Sequence, residues 1–528
     1  MRDIVVTLIV CAMIPLILRR PFVGLMTWSW LSYMNPHRLT WGFAQTLPFA
    51  QIVFLVTFAS WLWHGDKRTN GLRAYVWLGL LCVAFLALDH LVDMTSTTAP
   101  VDVSLGLPNG HGRSTGPIAA LILIALMLAA SVPLVMISAP GRMNVMTPLT
   151  WLLLAFCGWT TVTTLTAYFP QAAFDKWLIF FKIIVATVLG LLIIDDERKL
   201  KLLVLVIGLS IGFLGVKGGL FTIINGGQYI VFGPKQSFMS DNNNMALAFV
   251  MAMPLMYFCL IHSVTSWQKW LMWFVLGTTL LATVATYSRG GFVALAAVLA
   301  VLWLRSRRKV ASSIILVFVA VIALTFMPQE YRERIRSIAD YEQDGSAQSR
   351  FSSWSFAIDA ANQSPLTGGG YKVFYLHQKE DQKIYRAGYS DAHSIYFEVL
   401  GEHGYVGLLM FLALGVASIW QCQRMSWQCR GDPHVKWLSD LAQMLQLSII
   451  AFAVGGAFLT LATFDLYYQL LALVVLAEAI MLQQRASKPL PAPAIPQPSP
   501  ARSLAAPRPT HVGKPARAFR VALPQVER

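Results

Sequence analysis

The chain has 528 residues, of which 56% are hydrophobic and only 13% are charged, and its formal net charge is +15. Soluble domains average about 25% charged residues, and long apolar runs recur along most of this chain, which excludes a soluble protein with a single anchor. The runs are continuous and do not alternate every second residue, so they predict helices and exclude a membrane β-barrel. The basic residues lie in short loops and in the tail, where they set topology, which argues against nucleic-acid binding.

These runs predict an all-α polytopic integral membrane protein with about 12–15 transmembrane helices and one large extracytoplasmic loop. Residues 1–20 contain an apolar stretch without a small-residue cleavage site, and we interpret them as a retained helix rather than a signal peptide. The first two segments are at or below the length needed for spanning, so they are candidates for re-entrant helices. The predicted membrane segments are 4–18, 21–34, 45–63, 72–88, 117–137, 149–168, 177–194, 200–216, 244–261, 270–287, 290–304, 310–327, 395–419, 438–461 and 466–482.

Lysine and arginine are concentrated in one set of alternating loops, which predicts that those loops are cytoplasmic. On that assignment the long segment between the last core helix and the C-terminal helices is external, and the tail is cytoplasmic. The tail is Pro/Ala-rich, basic and too polar to bury a core, so we predict that it is disordered. The predicted regions are an N-terminal membrane region (1–148), core helices (149–327), the large periplasmic loop (328–394), C-terminal membrane helices (395–484) and the tail (485–528).

Several lysines lie toward the predicted outer face, at different depths. Lys176 and Lys235 are interpreted as cations whose flexible side chains reach the membrane interface. Lys182 lies about one and a half turns into an apolar helix, where an ionisable group is expected to face a polar cavity or a partner. Lys217 ends the next apolar run beside two glycines. Lys182 and Lys217 are therefore candidates for binding an anion.

The run DNNN before the next apolar helix begins with Asp241. Asp and Asn side chains accept hydrogen bonds from the free backbone N–H groups at a helix start, so an N-cap is the expected role for most of this run. Asp241 is also a candidate for orienting a group of the site.

The stretch TYSRGGF places Arg289 between two apolar runs, at the outer end of its helix and in a very tight turn. One interpretation is a structural helix cap, since arginine near a helix C-terminus interacts favourably with the dipole. The other is a phosphate ligand, because a guanidinium is a planar fork that matches phosphate oxygens. Gly290 and Gly291 would allow a sharp turn and close approach of a ligand, and Ser288 is a supporting residue beside them.

The external loop carries Arg350 and Trp354 on a predicted amphipathic helix, then the glycines of TGGGY, which we interpret as a hinge, and ends at His393 after Asp391. One interpretation of His393 is a hydrogen-bonded interfacial histidine. The other is a base, because histidine titrates near neutrality and can take a proton from an attacking hydroxyl. His403, further along the same helix, is predicted to be structural.

Four stretches in this order resemble the successive motifs of the O-antigen ligase/polymerase superfamily, which includes bacterial protein O-oligosaccharyltransferases. They are SFMSDNNNMALAFVMAMP, TYSRGG, RFSSWSFAIDAANQSPLTGGGYKVF and DAHSIYFEVLGEHGYVGLL. The resemblance covers roughly residues 150–420, and the N-terminal segment resembles the exosortase A-associated O-glycosylation ligases. It implies a multi-pass protein of the bacterial inner membrane, with an active site that faces the periplasm.

The resemblance also implies the reaction: a glycan moves from a polyprenyl-diphosphate carrier to a hydroxyl of lipid A core or protein. It assigns Arg289 and His393 as the essential residues and implies further basic residues on the earlier helices, for which Lys182 and Lys217 are the best matches. From their positions in the sequence, Arg350 is a further candidate diphosphate ligand, and Asp391 and Asp241 are candidate supporting residues. Positive groups in a water-poor site stabilise the negative charge on a leaving diphosphate, so no metal and no other cofactor is expected.

Four alternatives to a ligase stay open from the sequence. The first is a polymerase that extends one lipid-linked glycan with another. The second is a transporter or flippase of lipid-linked glycans, although paired interrupted helices are not visible in two halves. The third is a structural partner of an export system, for which the basic tail is the one sequence signal. The fourth is a metal-dependent glycosyltransferase. A metal-dependent enzyme would need outer-face carboxylates to hold a divalent ion. The candidates for that role are Asp89, Asp93, Asp241 and Asp391.

Overall fold

A computed structural model describes residues 2–64, 143–306, 345–374 and 391–486, with a few further positions between 308 and 321. Within these residues the chain forms helices, turns and loops and no strand. The helices are α1 (Arg2–Arg19), α2 (Pro21–Met34), α3 (Phe49–His64), α4 (Pro148–Leu165), α5 (Pro170–Ile193), α6 (Glu197–Ile224), α7 (Asn242–Ile261), α8 (Ser266–Ala285), α9 (Arg289–Arg305), α10 (Gly345–Gln363), α11 (Ile395–Cys429), α12 (Lys436–Gly455) and α13 (Asp465–Ala486).

The prediction of an all-α polytopic membrane protein is confirmed. Seven helices of the described residues are long and apolar enough to cross a membrane, and α3 is a shorter apolar helix. The predicted segments 72–88 and 117–137, and most of 310–327, lie outside the described residues, as does nearly all of the tail. The seven are α4, α5, α6, α7, α11, α12 with the short turn that follows it, and α13.

Helix α6 packs closely on α8 because small residues line the contact. A Cβ atom at Gly215 would lie 2.1 Å from Thr279 Oγ1, and one at Gly219 would lie 2.4 Å from the Thr278 carbonyl oxygen. Glycines in such a stripe let two membrane helices approach at short range. A glycine beside Lys217 therefore serves helix packing.

Helix α11 is interrupted at Gly404, which has φ 67° and ψ −170°. This conformation is essentially restricted to glycine, and a Cβ there would lie 2.4 Å from the Leu366 carbonyl oxygen. The break frees two carbonyl groups of the preceding turn, and the TGGGY segment takes them. The amides of Gly369 and Gly370 donate to the carbonyls of Gly401 and Glu402 at 2.9 and 3.0 Å. The glycines therefore form a fixed contact with α11, whereas the sequence suggested a hinge.

The ends of the helices lie at two opposite faces of the helical bundle. On one face, the amide of Tyr168 before α5 donates to the carbonyl of Gly369, and Asn242 at the start of α7 donates to the carbonyl of Thr286 after α8. On the other face, Arg305 at the end of α9 donates to Gln446, and Gln484 near the end of α13 donates to Glu197. The first face carries the candidate site, and we call it the site face.

Candidate active site

The turn before α9 holds Arg289 at the site face. Helix α8 ends at Ala285, Tyr287 adopts left-handed backbone geometry (φ 52°), and the Ser288 hydroxyl oxygen accepts a hydrogen bond from the Gly291 amide at 3.1 Å. Arg289 is the first residue of α9 and is exposed. The predicted tight turn is present, but Arg289 begins a helix, so the interpretation as a C-terminal helix cap is wrong.

The glycines after Arg289 pack against neighbouring helices and do not make the turn. A Cβ at Gly291 would lie 2.6 Å from the Ala246 Cβ of α7, and one at Gly290 would lie 3.4 Å from the Phe458 Cβ. The reversal of the chain comes from Tyr287. Because the first amides of a helix carry partial positive charge, the start of α9 adds to the charge of the Arg289 guanidinium. The arrangement favours an anion.

His393 lies just before α11 in a strained backbone conformation, with φ 47°. Its amide donates to the Thr460 hydroxyl oxygen at 2.9 Å, and the Trp354 indole donates to the carbonyl of the preceding Ala392 at 2.9 Å. Trp354 also stacks on Phe397, with ring centroids 4.8 Å apart. Non-glycine residues in left-handed geometry are concentrated at functional sites, and here α10 and the turn after α12 hold the residue in place.

Charged groups on three segments surround the half-buried His393 imidazole. Burial and the Arg350 guanidinium lower the pKa of His393, whereas the Asp391 and Asp241 carboxylates act in the opposite direction. The lowered pKa keeps the imidazole neutral at neutral pH, as a proton acceptor must be. Asp241 is the N-cap of α7, as predicted, with its carboxylate accepting from the Asn243 amide at 2.8 Å.

One turn, residues 455–460, links the helix of Arg289 to the segment of His393. Gly290 faces Phe458 in this turn, the His393 amide donates to Thr460, and a Cβ at Gly456 would lie 2.6 Å from the Ile395 side chain. We call this segment the 455–460 turn. The structure thus brings Arg289 and His393 to the same part of the site face, with Arg350, Asp391 and Asp241 within electrostatic range of His393.

The two candidate lysines occupy different positions from those predicted. Lys182 lies halfway along α5, because α5 begins at Pro170, well before the predicted start of the segment, and its side chain is half-buried. The prediction that it lies one and a half turns from the helix start is wrong. Lys217 is exposed on α6, and within the part of the chain that the structure describes it forms no ion pair or side-chain hydrogen bond.

The interpretation of Lys176 as a cation reaching the interface is also wrong. Its Nζ atom lies 2.7 Å from Glu398 Oε1 and 2.8 Å from Glu402 Oε1, and the two glutamate side chains are 2% and 3% exposed. These acids are four residues apart on α11, so they share one helix face. We call Lys176, Glu398 and Glu402 the buried ion cluster.

The buried ion cluster also fixes two loops. The Ala462 amide donates to Glu398 at 2.9 Å, and the Lys372 amide donates to Glu402 at 2.9 Å. Lys176 Nζ lies 5.4 Å from the centre of the Tyr371 ring. The sequence contained a signal for this cluster, because two acids inside an apolar helix require a buried partner. His403 is buried, with Nδ1 2.7 Å from the Thr163 hydroxyl, which agrees with its predicted structural role.

The donors for a metal ion are sparse in the described part of the chain. No group of three or more His, Cys, Asp or Glu side chains there is arranged to hold an ion. Asp89 and Asp93, the pair considered for this role, lie outside the described residues.

Comparison with known families adds two matches. Residues 1–103 and 116–264 match a family of unknown function (DUF5935). Residues 274–412 match the family described as O-Antigen ligase, and this stretch contains Arg289, Arg350, Asp391 and His393. No curated protein matches the chain. The match at residues 274–412 supports placing this multi-pass membrane protein in the O-antigen ligase superfamily, with a ligase- or polymerase-like role in glycosyl transfer.

Proposed function

We propose that the protein is an extracytoplasmic glycosyltransferase of the bacterial inner membrane. It moves a glycan from a polyprenyl-diphosphate carrier to a hydroxyl group on lipid A core or on a protein. The observation that carries the proposal is the 455–460 turn, which joins the helix start at Arg289 to the strained His393 within the stretch that matches the O-antigen ligase family. In this proposal the site face is periplasmic.

The proposed reaction uses the two residues in complementary roles. The acceptor oxygen attacks the anomeric carbon, the bond from that carbon to the diphosphate oxygen breaks, and its electron pair leaves with the diphosphate. The neutral His393 imidazole takes the hydroxyl proton. The Arg289 guanidinium and the first amides of α9 stabilise the charge that develops on the diphosphate.

Arg350 is the second diphosphate ligand in this proposal, because it lies close enough to His393 to lower its pKa. Asp391 and Asp241 orient the imidazole in this proposal, and their carboxylates partly offset the positive charge around it. Lys182 and Lys217 remain predicted diphosphate ligands, and Lys182→Ala and Lys217→Ala in the same transfer assay test them. No step of the reaction routes through a metal ion, so we propose that transfer is metal-independent.

The test is transfer in nanodiscs from a labelled polyprenyl-diphosphate glycan, with lipid A core and secreted proteins as separate acceptors and with and without EDTA. We expect Arg289→Ala and His393→Ala each to lower the rate by about 100-fold or more. Arg430→Ala and His434→Ala are the matched controls, because both residues are exposed and lie together between α11 and α12. EDTA should leave the rate unchanged.

Other outcomes would redirect the proposal. Label that accumulates as longer glycans on the carrier would identify a polymerase. Donor that fails to appear outside cells carrying Arg289→Ala would identify a transporter or flippase. Transfer to protein but not to lipid A core would support a relationship to the exosortase-associated O-glycosylation ligases, which the N-terminal resemblance suggests.

A further inference from the structure

A cavity of about 650 Å³ lies at the face opposite the site face. It is formed where α1, α3 and α5 end and where α2 and α6 begin. The lining residues are Arg19, Arg20, Pro21, Phe22, Val23, Trp61, His64, Leu192, Ile193, Asp195, Asp196, Arg198, Lys199 and Leu202. We propose that this cavity binds the phosphate group of an anionic phospholipid.

The charge of the cavity favours an anion. Its four cationic and two acidic side chains leave a net charge of +2 with histidine neutral. The acids are already engaged: Lys199 pairs with Asp195 and lies 3.7 Å from Asp196, and Asp196 caps α6 by accepting from the Lys199 amide at 2.7 Å. Lys199 balances one of the two carboxylates, so the net charge of +2 is that of three arginines and one remaining carboxylate.

Those arginines are Arg19, Arg20 and Arg198, and all three are exposed. Across the described ranges, none of their guanidinium groups takes part in an ion pair or a side-chain hydrogen bond. Guanidinium groups match phosphate oxygens in geometry as well as charge. Three of them at one cavity therefore form a phosphate-binding rim.

The wall of the cavity distinguishes a lipid from a free anion. Leu192, in the last turn of α5, is partly exposed, and Leu202, in the second turn of α6, is 37% exposed, whereas Trp61, in the last turn of α3, is buried. These apolar groups lie deeper along the helices than the arginines at the helix ends. A soluble anion would use only the rim, whereas a phospholipid also covers the wall with an acyl chain. Basic pockets between membrane helices bind lipid headgroups in this way.

The cavity is separate from the proposed active site. Helix α5 runs from Pro170 at the site face to Ile193 at the cavity, a length of about 36 Å at 1.5 Å per residue. A lipid in the cavity therefore touches neither Arg289 nor His393, and its binding can be measured without any glycan substrate.

The experiment is native mass spectrometry of the full-length protein in detergent, titrated with phosphatidylglycerol or with phosphatidylcholine. We expect phosphatidylglycerol to bind at least tenfold more tightly, and we expect its affinity to fall as salt rises, because exposed charges are screened. The variant Arg19→Gln/Arg20→Gln/Arg198→Gln should lose about 100-fold in affinity, at about fivefold for each arginine. Lys269→Gln removes an exposed charge outside the cavity and should bind as wild type does.

Three results would overturn the proposal. The first is equal binding of the two lipids by wild type, or an affinity that salt leaves unchanged. Because this measurement uses only the wild-type protein, it does not depend on whether a variant folds. The second is wild-type affinity in the triple variant. The third is competition by inorganic phosphate or glycerol phosphate at the concentrations at which phosphatidylglycerol binds, which would make the cavity a site for soluble anions.

Discussion

Two groups of charged residues lie near the start of α11, and they differ in exposure to solvent. In the first group, Arg289 is exposed and His393, just before the helix, is half-buried. One to two turns further on, Glu398 and Glu402 are almost fully buried and hold Lys176 within 2.8 Å. In the proposed function the accessible group binds the ligand, whereas the charges of the buried group are already paired with one another.

The comparison indicates that the close pairing of Lys176 with Glu398 and Glu402 is structural. A buried lysine paired with two acids loses most of its hydration, and the contacts it makes are complete without a substrate. His393, which is proposed for chemistry, is instead held in place by a backbone contact, because its amide donates to the Thr460 hydroxyl oxygen. Variants of the two groups should therefore fail in different ways.

The largest effect is expected from Lys176→Met. It leaves two buried carboxylates facing each other, and removing one partner of a buried ion pair costs about 3–5 kcal/mol. Thermal unfolding in detergent measures the loss. Lys217→Met removes an exposed lysine and should leave the unfolding temperature unchanged. Lys176→Met combined with Glu398→Gln and Glu402→Gln should recover most of the stability, and if it does not, the buried ion cluster is not held by charge.

A somewhat smaller effect is expected from Gly404→Ala. The new Cβ would meet the Leu366 carbonyl oxygen at 2.4 Å in a conformation that alanine rarely adopts, which costs about 3 kcal/mol. Because the break holds the TGGGY segment, hydrogen exchange should show lost protection at Gly369 and Gly370. Gly277→Ala is the control, since a Cβ there would have no atom within 4 Å. Unchanged protection in Gly404→Ala would show that the helix break at Gly404 does not hold the TGGGY segment in place.

Thr460→Val tests the other side of the comparison. It keeps the shape of the side chain and removes the acceptor of the His393 amide, which costs about 1 kcal/mol. The loss should appear mainly in kcat of glycan transfer, because it relaxes the position of a group that acts in the transition state. Thr460→Ser retains the hydroxyl and should retain kcat. An equal loss of kcat in both variants would show that the hydrogen bond from the His393 amide to Thr460 does not position the base.

The smallest effect is a shift in the pH dependence of transfer. A base must be neutral, and because the pKa of His393 is lowered, activity should persist below pH 6.5, the ordinary value for histidine. Arg350→Gln removes a group that lowers this pKa, so the acid limb of the rate profile should move to higher pH. Asp391→Asn removes a group that raises it, so the limb should move to lower pH. Shifts of both variants in one direction would exclude His393 as the titrating base.

Much of the fold follows from local sequence, because each membrane helix is a continuous apolar run with polar ends. The tight turn before Arg289 and the N-cap at Asp241 were predictable for the same reason. The start of α5 was not, since Pro170 to Lys176 includes polar residues that a hydropathy pattern excludes from the helix. Lys182 was consequently placed too near a helix end.

The candidate site was predictable as a set of residue types but not as an arrangement. The pairing of Lys176 with Glu398 joins residues that are more than 200 positions apart, and no local pattern reports such a distance. The 455–460 turn was predicted as part of the membrane segment 438–461, because its residues are as apolar as the helix before it, whereas α12 ends at Gly455. The role of Tyr287 in reversing the chain was missed because sequence assigns turns to glycine first.

The Gly404 break has a consequence for exchanging parts between relatives. The TGGGY segment is hydrogen-bonded to the first two turns of α11 through backbone amides and carbonyls. The structural boundary of this part of the chain therefore lies within α11, at the Gly404 break, and not at the start of the helix. A chimera that exchanges residues 345–374 alone would separate these bonded partners. An exchange that keeps them together must also carry the start of α11 through Gly404.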